Sequence, residues 1–139
     1  MNWKELTLTS QYKAAVAIQS ELQQGHIQES EIGIEELIEA LSRSDKRALK
    51  SQLIRLMMHV IKWLIQPQYR SRSWLLTIEN ARIEIEGLLE DEPHLKPEVD
   101  RIWIKCFNQA IRLAKKETGI KPNISELSLE DVFKKDYNL

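Results

Sequence analysis

The segment "DKRALKSQLIRLMMHVIKWLIQP", residues 45–67, carries the strongest information about the architecture of the protein. At about 100° per residue, its apolar side chains form two stripes on nearly opposite sides of one helix. The first stripe comprises Leu49, Leu53, Leu56, Met57, Val60, Trp63 and Leu64. The second stripe comprises Ile54, Met58, Ile61 and Ile65. Because a helix that is apolar over most of its circumference is buried, residues 44–65 are predicted to form the central helix, ending before Pro67.

One narrow strip of this predicted helix stays polar. Its members are Gln52, Arg55, His59, Lys62 and Gln66. Polar groups that are buried without partners cost free energy. We therefore expect the strip either to reach water through a groove or to meet carboxylates of a neighbouring element.

The remaining periodic segments also indicate helices, and the low content of turn residues, 4 Gly and 4 Pro, argues against a β protein. The predicted helices lie at about residues 10–24, 32–43, 45–65, 72–90, 97–118 and 129–135. Thr9 or Ser10 is the predicted cap of the first, and Ser128 with Asp131 resembles a capping box before the last. The sequence thus predicts an all-α fold, a single domain over residues 1–139 built as a bundle of five helices plus a short C-terminal helix.

The first two predicted helices each show one apolar face. On the first helix the face comprises Tyr12, Ala15, Ile18 and Leu22. On the second helix it comprises Ile34, Leu37, Ile38 and Leu41. We expect both faces to point into the bundle.

Composition excludes several classes of protein. The formal net charge of −1 gives no whole-chain field that demands a polyanionic partner. The single cysteine, Cys106, cannot form an internal disulfide, which suits a reducing cytoplasm. The N-terminus lacks a signal-peptide pattern, and no segment supplies about 18 uninterrupted apolar residues, so no membrane span is expected. His26 and His94 show no metal-ligand spacing, and cofactor-binding motifs are absent, so neither metal nor cofactor is predicted.

The charge is unevenly distributed along the chain. Between residues 46 and 78 there are seven bases and no Asp or Glu. The bases are Lys46, Arg47, Lys50, Arg55, Lys62, Arg70 and Arg72. Acidic runs at residues 29–39 and 79–92 flank this block, and helices that fold back can pair such blocks. Pairing within the protein or between subunits is therefore favoured over an external polyanion such as a nucleic acid.

The corner Arg70-Ser71-Arg72-Ser73 is a candidate anion-binding site. The first turn of a helix offers unpaired N–H groups and a positive dipole end, and two hydroxyls and two guanidiniums converge there. That chemistry suits a phosphate or a sulfate. The alternative is that Ser71 or Ser73 only caps the helix, while the arginines lie in solvent or pair with an acid.

His59 and Lys62 are the candidate catalytic residues. Cationic neighbours lower the pKa of a histidine and favour the neutral imidazole, which can act as a general base. With the bases of the corner stabilising developing charge, the pair would suit metal-independent cleavage of a phosphodiester. The alternative, which the pattern favours, is that His59 is a hydrogen-bonded histidine at the edge of the core.

Arg82 lies within the apolar stripe of the predicted helix 72–90. A buried guanidinium is costly unless a carboxylate receives it. The acidic second helix is the nearest supply, so a buried ion pair with Glu35, Glu36 or Glu39 is predicted. The alternative is that the guanidinium extends past its neighbours into water.

Several long runs of the chain resemble a known family. The runs are "IEELIEALSRSDKRALKSQLIRLMMHVIKW", "RSRSWLLTIENARIEIEGLL", "ETGI" and "LSLEDVF". They resemble a bacterial family rich in cyanobacterial members, number twenty-nine in the domain-of-unknown-function series. The most specific residues are His59, Lys62, Trp63, Ser73, Trp74, Ile78 and Arg82. The resemblance implies an all-helical domain that makes up nearly the whole protein, and it implies no activity.

The sequence is compatible with three functions. The first is a small non-enzymatic binding module that acts on a protein or polyanion through the basic region, residues 46–72. The second is a metal-independent nuclease or phosphotransfer enzyme built on His59. The third is a homo-oligomer in which the acidic second helix pairs with the basic central helix of another subunit. The absence of any catalytic motif favours a protein that is not an enzyme.

Overall fold

The structure, a computed structural model, describes all 139 residues and contains helices but no strands. The helices are α1 (Trp3–Thr9), α2 (Gln11–Gln23), α3 (Ile27–Ile65), α4 (Arg72–Asp91) and α5 (Lys96–Thr118). Short 3-10 turns, Pro67–Tyr69 and Pro93–Leu95, precede α4 and α5, and a single π-type turn, Glu130–Lys134, lies near the C-terminus. The prediction of an all-α fold is confirmed. None of the helices combines the length and hydrophobicity needed to cross a membrane.

Helix α3 is the main departure from the predicted boundaries. The helices predicted at 32–43 and 45–65 form one continuous helix of 39 residues. Ser44 and Asp45 have the side chains of capping residues, but no glycine or proline lies between Gly33 and Pro67 to break the helix. A capping residue alone does not end a helix whose neighbours all favour it, so the two predicted segments merge.

The short helix α1 was not predicted, although its start carries a cap. The side-chain oxygen of Asn2 accepts a hydrogen bond from the backbone N–H of Glu5 at 3.2 Å, and its amide donates to the Glu5 carboxylate at 3.1 Å. At the start of α2, the Ser10 hydroxyl accepts from the N–H of Lys13 at 3.1 Å. The predicted cap at Ser10 is therefore confirmed.

The chain forms two compact units, the N-terminal unit (Met1–Lys46) and the C-terminal unit (Arg47–Leu139). The prediction of a single domain stays a prediction. In the N-terminal unit, α1 and α2 pack against residues 27–46 of α3 at Gly33. A Cβ at Gly33 would lie 2.7 Å from Cγ1 of Ile18 and 3.1 Å from the Trp3 ring, so only glycine allows this approach. The indole N–H of Trp3 donates to the Glu29 carboxylate at 2.7 Å.

The C-terminal unit is built around the second half of α3. Six of its side chains are fully buried, namely Leu49, Leu53, Leu56, Met57, Val60 and Ile61. Buried faces of α4 and α5 contribute Ile78, Ala81, Ile85, Cys106 and Ala110 to the same hydrophobic core. Residues 49–63 are therefore central to the C-terminal unit, as predicted, whereas residues 46–48 are exposed and Leu64 of the first predicted stripe is 38% exposed. Burial of apolar surface contributes about 25 cal/mol per Å² to the stability of this packing.

The C-terminal segment ends in a shorter element than predicted. The expected helix over 129–135 is the single turn Glu130–Lys134, but its capping box is present. The Ser128 hydroxyl accepts from the N–H of Asp131 at 3.0 Å, and the Ser128 N–H donates to the Asp131 carboxylate at 3.0 Å. The hydrogen bond from the Ser128 N–H to the carboxylate lowers the pKa of Asp131. After the turn, the Tyr137 ring packs edge-on against Trp63, with 6.0 Å between the ring centres.

Candidate functional site

The corner between α3 and α4 uses Arg70 and Ser71 to finish one helix and begin the next. Nε of Arg70 donates to the carbonyl oxygen of Trp63 at 2.9 Å, and the guanidinium lies 4.9 Å from the centre of the Trp63 ring. The Ser71 hydroxyl accepts from the N–H of Trp74 at 3.2 Å. The Arg70 guanidinium therefore supplies a hydrogen-bond donor to a carbonyl near the end of α3, and the Ser71 hydroxyl caps the start of α4.

Arg72 and Ser73, the other two residues of the corner, are exposed in the first turn of α4. Of the four residues predicted to hold an anion, two face solvent and two maintain the bend itself. The capping alternative is confirmed at Ser71, whereas the anion site stays a prediction.

Lys62 forms an ion pair between α3 and α5. Its Nζ donates to Oε1 of Glu117 at 2.9 Å and lies 4.7 Å from the centre of the Trp74 ring. The Lys62 side chain is only 7% exposed, whereas that of Glu117 is 51% exposed. At this position, the polar strip of α3 meets a carboxylate of a neighbouring element, which is one of the two outcomes expected from the sequence.

His59 is half-buried one turn before Lys62 and has a defined tautomer. Its Nδ1 lies 3.0 Å from the carbonyl oxygen of Arg55, and because a carbonyl only accepts, Nδ1 carries the proton. Burial lowers the pKa of His59, and the positive charges of Lys62 and Arg55 lower it as well. The hydrogen bond to the Arg55 carbonyl and the negative charge of Glu117 raise the pKa, but burial has the larger effect. The imidazole is thus held neutral, with its lone pair on Nε2. That is the state a general base requires, but a catalytic role for His59 and Lys62 stays a prediction.

Arg82 is buried as predicted, but its partners differ from the prediction. Nε donates to the carbonyl oxygen of Val132 at 2.8 Å, and Nη2 donates to that of Lys135 at 2.9 Å. The prediction that Arg82 forms an ion pair with Glu35, Glu36 or Glu39 is therefore wrong. The physical reason is that carbonyls at the end of a helical turn have no partner in that turn, and a guanidinium satisfies two of them at once.

The N-terminal unit carries large apolar side chains on its outside. On α1 and α2 the exposed ones are Leu8, Tyr12, Val16 and Leu22, and on α3 they are Ile27, Ile32, Ile34, Ile38 and Leu41. Most of the buried positions are small, namely Thr7, Ala14, Ser30, Gly33 and Ala40. Ile38 is 62% exposed and Tyr12 is 78% exposed, so many of the large apolar side chains of this unit lie outside, and only Trp3 and Ile18 are large and buried.

Four of these residues share one side of α3, and we call Ile27, Ile34, Ile38 and Leu41 the apolar face. At 100° per residue they fall within a sector of about 60°, and at 1.5 Å per residue they extend over about 21 Å. The prediction that Ile34, Ile38 and Leu41 point inward is wrong, as it is for Tyr12 and Leu22 on α2. The reason is that Trp3 and Ile18 occupy the space over Gly33, which turns the small-residue side of α3 inward.

The family model for the domain of unknown function DUF29 matches residues 11–138, nearly the whole chain. This protein belongs to the DUF29 family. The resemblance seen in the sequence is thereby confirmed. No curated protein and no solved structure matches the chain.

Membership of DUF29 assigns no activity, but the charge of this DUF29 protein is divided unevenly between its two units. Residues 1–46 contain eight carboxylates and four bases, whereas residues 47–139 contain thirteen carboxylates and sixteen bases. With histidine neutral, the N-terminal unit carries a formal −4 and the C-terminal unit +3. The apolar face therefore belongs to the acidic part of the DUF29 chain.

Apolar periodicity alone did not reveal the apolar face of this DUF29 protein. It favours burying the largest side chains and treats Ile34, Ile38 and Leu41 as core. A signal was nevertheless present, because Ser30, Gly33 and Ala40 recur at helical spacing on another side of α3. Small residues at that spacing indicate close packing between helices, and they would have placed the isoleucines outside.

Proposed function

We propose that this protein is a non-enzymatic binding module that receives a helix of a partner protein on the apolar face of its N-terminal unit. The observation that supports this proposal is the distribution of side-chain size: isoleucines and leucines lie outside, whereas the buried positions other than Trp3 and Ile18 hold small side chains. Large contiguous apolar patches are uncommon on proteins that act alone, and they mark sites of interaction.

The shape of the apolar face suits a helix better than a small molecule. Its four side chains follow one another at intervals of seven, four and three residues along α3. That spacing is typical of helix–helix contacts, in which an amphipathic partner places its own apolar stripe against the first. Small ligands are instead held in concave pockets.

The basic region at residues 46–72 supports binding less well. Lys62 and Arg70, two of its seven bases, have partners within the C-terminal unit. The exposed bases are Lys46, Arg47, Arg55 and Arg72. Because scattered surface charges contribute little affinity each, we propose the apolar face rather than the basic region as the binding surface.

A synthetic amphipathic peptide tests the proposal on the full-length protein. The probe is a fluorescein-labelled peptide of about 18 residues, with leucine at helical spacing and uncharged Gln and Ser elsewhere. We expect saturable binding, followed by fluorescence anisotropy, and a loss of about tenfold or more in the variant Ile34→Gln/Ile38→Gln, because each isoleucine loses its buried area.

The matched control is Ile83→Gln/Ile104→Gln, which removes two exposed isoleucines from the C-terminal unit. We expect this variant to bind the peptide like the wild type. Circular dichroism melts should show that both double variants stay folded, since the changed side chains are exposed. The proposal is overturned if the wild type does not bind, or if both variants lose affinity equally.

A further inference from the structure

The apolar face has an acidic border on one side. Along α3, Glu31 and Glu35 follow the apolar face at an angular distance of about 20–60° from Ile38. Both glutamates are exposed, and neither takes part in any ion pair of the structure. Glu39, next in this row, pairs with Arg43 at 3.2 Å. The border thus presents two unpaired carboxylates, one helical turn apart.

No positive charge offsets this border within its stretch of α3. Residues 27–41 contain five glutamates and no lysine or arginine. The formal charge of −4 on the N-terminal unit adds to the local field. A partner that covers the apolar face must therefore bring its flank beside two carboxylates, and like charges there would oppose binding.

We infer that the apolar face selects an amphipathic helix whose apolar stripe is flanked by lysine or arginine. This inference rests on the proposed function and adds the charge of the partner to it. Bases spaced four residues apart on the partner match Glu31 and Glu35, which have the same spacing on α3. The charged flank fixes the orientation of the partner, and the leucine-type stripe supplies the apolar contact.

A second copy of this chain fits the face less well. If two copies paired through their apolar faces about a twofold axis, Glu31 and Glu35 of both would lie at one interface. Four carboxylates without bases between them repel. The charge of the border therefore favours a basic helix from another protein over self-association.

Two further peptides test the inference on the full-length protein. They share the leucine stripe of the uncharged probe, and they carry either lysine or glutamate at the flanking positions. We expect the lysine peptide to bind at least tenfold more tightly than the glutamate peptide at low salt. The difference should shrink as NaCl rises from about 50 to about 500 mM, because salt screens exposed charges.

Variants assign the preference to the border. Glu31→Gln/Glu35→Gln should remove most of the difference between the two charged peptides and leave the uncharged peptide unaffected. The matched control, Glu86→Gln/Glu90→Gln, changes two exposed glutamates with the same spacing on α4 and should leave the difference unchanged.

The outcomes separate the inference from the proposed function. If the uncharged peptide binds through Ile34 and Ile38 but the charged peptides bind equally, the inference is overturned and the proposed function stands. If no peptide binds, both fail. Light scattering tests whether a second copy of the chain covers the apolar face. If the wild type is a dimer and Ile34→Gln/Ile38→Gln dissociates it, the inference is overturned.

Discussion

The guanidinium of Arg82 on α4 donates to the carbonyl oxygen of Val132 at 2.8 Å, fifty residues later in the chain. A second donor of the same group reaches the carbonyl of Lys135 at 2.9 Å, and the Tyr137 ring lies 5.6 Å from the guanidinium carbon. The hydroxyl of Tyr137 in turn donates to the Asp131 carbonyl at 2.7 Å. One buried arginine therefore holds the C-terminal turn and the residues that follow it against α4.

Replacing Arg82 with methionine should loosen this C-terminal segment. The variant leaves two carbonyls without donors, and we expect the free energy of unfolding to fall by about 2–4 kcal/mol. Arg82→Lys should fall between the wild type and the methionine variant, because one ammonium does not have the fork of a guanidinium. Urea unfolding, followed by tryptophan fluorescence, measures the change.

Hydrogen exchange locates the effect of Arg82→Met. We expect amides of residues 130–137 to exchange faster, while those in the buried part of α3 are affected less. Arg101→Met is the control, because Arg101 is 69% exposed and pairs only with Glu98, one turn earlier on α5. A surface pair of this kind contributes about 0–1 kcal/mol, so an equal loss in both variants would contradict the role of Arg82.

Gly33 and Gly87 should respond to alanine with opposite signs. A Cβ at Gly33 would meet Ile18 at 2.7 Å, whereas a Cβ at Gly87 on α4 meets nothing within 4 Å. Alanine is favoured over glycine inside a helix by about 1 kcal/mol, so Gly87→Ala should stabilise the protein. At Gly33 the crowding of the new methyl group costs about 1–3 kcal/mol, so Gly33→Ala should destabilise the protein. Thermal melts followed by circular dichroism measure both. A higher melting temperature for Gly33→Ala would contradict the close packing at α3.

The sequence predicted the all-α class and the buried part of α3 because both depend on local periodicity and hydrophobicity. Leu53, Leu56 and Val60 lie on one stripe, and the structure buries all three completely. The continuity of α3 was missed because Ser44 and Asp45 resemble caps. A capping residue begins a helix only where the residues before it are not helical, and here Ile38 and Leu41 already belong to the same helix.

The partners of the polar residues were harder to predict than their burial. Arg82 was expected to be buried, and it is, but its acceptors are backbone carbonyls, which a sequence pattern does not mark. Glu117 lies fifty-five residues from Lys62, so their ion pair depends on how α5 packs against α3. The apolar face depends on a glycine, because the space over Gly33 determines which side of α3 turns inward.

Lys62 and Glu117 should differ in the cost of their removal. Glu117→Gln leaves a buried ammonium without a carboxylate, and we expect a loss of about 2–3 kcal/mol. Lys62→Met removes the buried charge itself and leaves Glu117, which is half exposed, to water, so the loss should stay under about 1 kcal/mol. Urea unfolding of both variants measures the order. A larger loss for Lys62→Met would show that the pair stabilises the protein more than the burial of the charge costs.

The combined variant completes this test. In Lys62→Met/Glu117→Gln no buried charge remains between α3 and α5 at this position, so its stability should match that of Lys62→Met and exceed that of Glu117→Gln.

His59 should make the stability of the protein fall as the pH is lowered. Burial holds the pKa of His59 below its ordinary value of about 6.5, whereas the unfolded chain regains that value. Below about pH 6.5 the unfolded state therefore binds the proton more readily than the folded state, so the free energy of unfolding decreases as the pH falls. The loss ends once the pH is below the folded pKa, where both states are protonated.

The variant His59→Gln isolates this contribution. At pH 8 the comparison of its stability with that of the wild type reports packing alone, since His59 is neutral in both states. Between pH 8 and pH 5 the wild type should lose more stability than the variant, because the variant lacks the titrating group. An NMR titration of the imidazole of His59 gives the folded pKa directly. A value above 6.5, or parallel pH profiles of the two proteins, would contradict the assignment and show that the hydrogen bond to the Arg55 carbonyl outweighs burial.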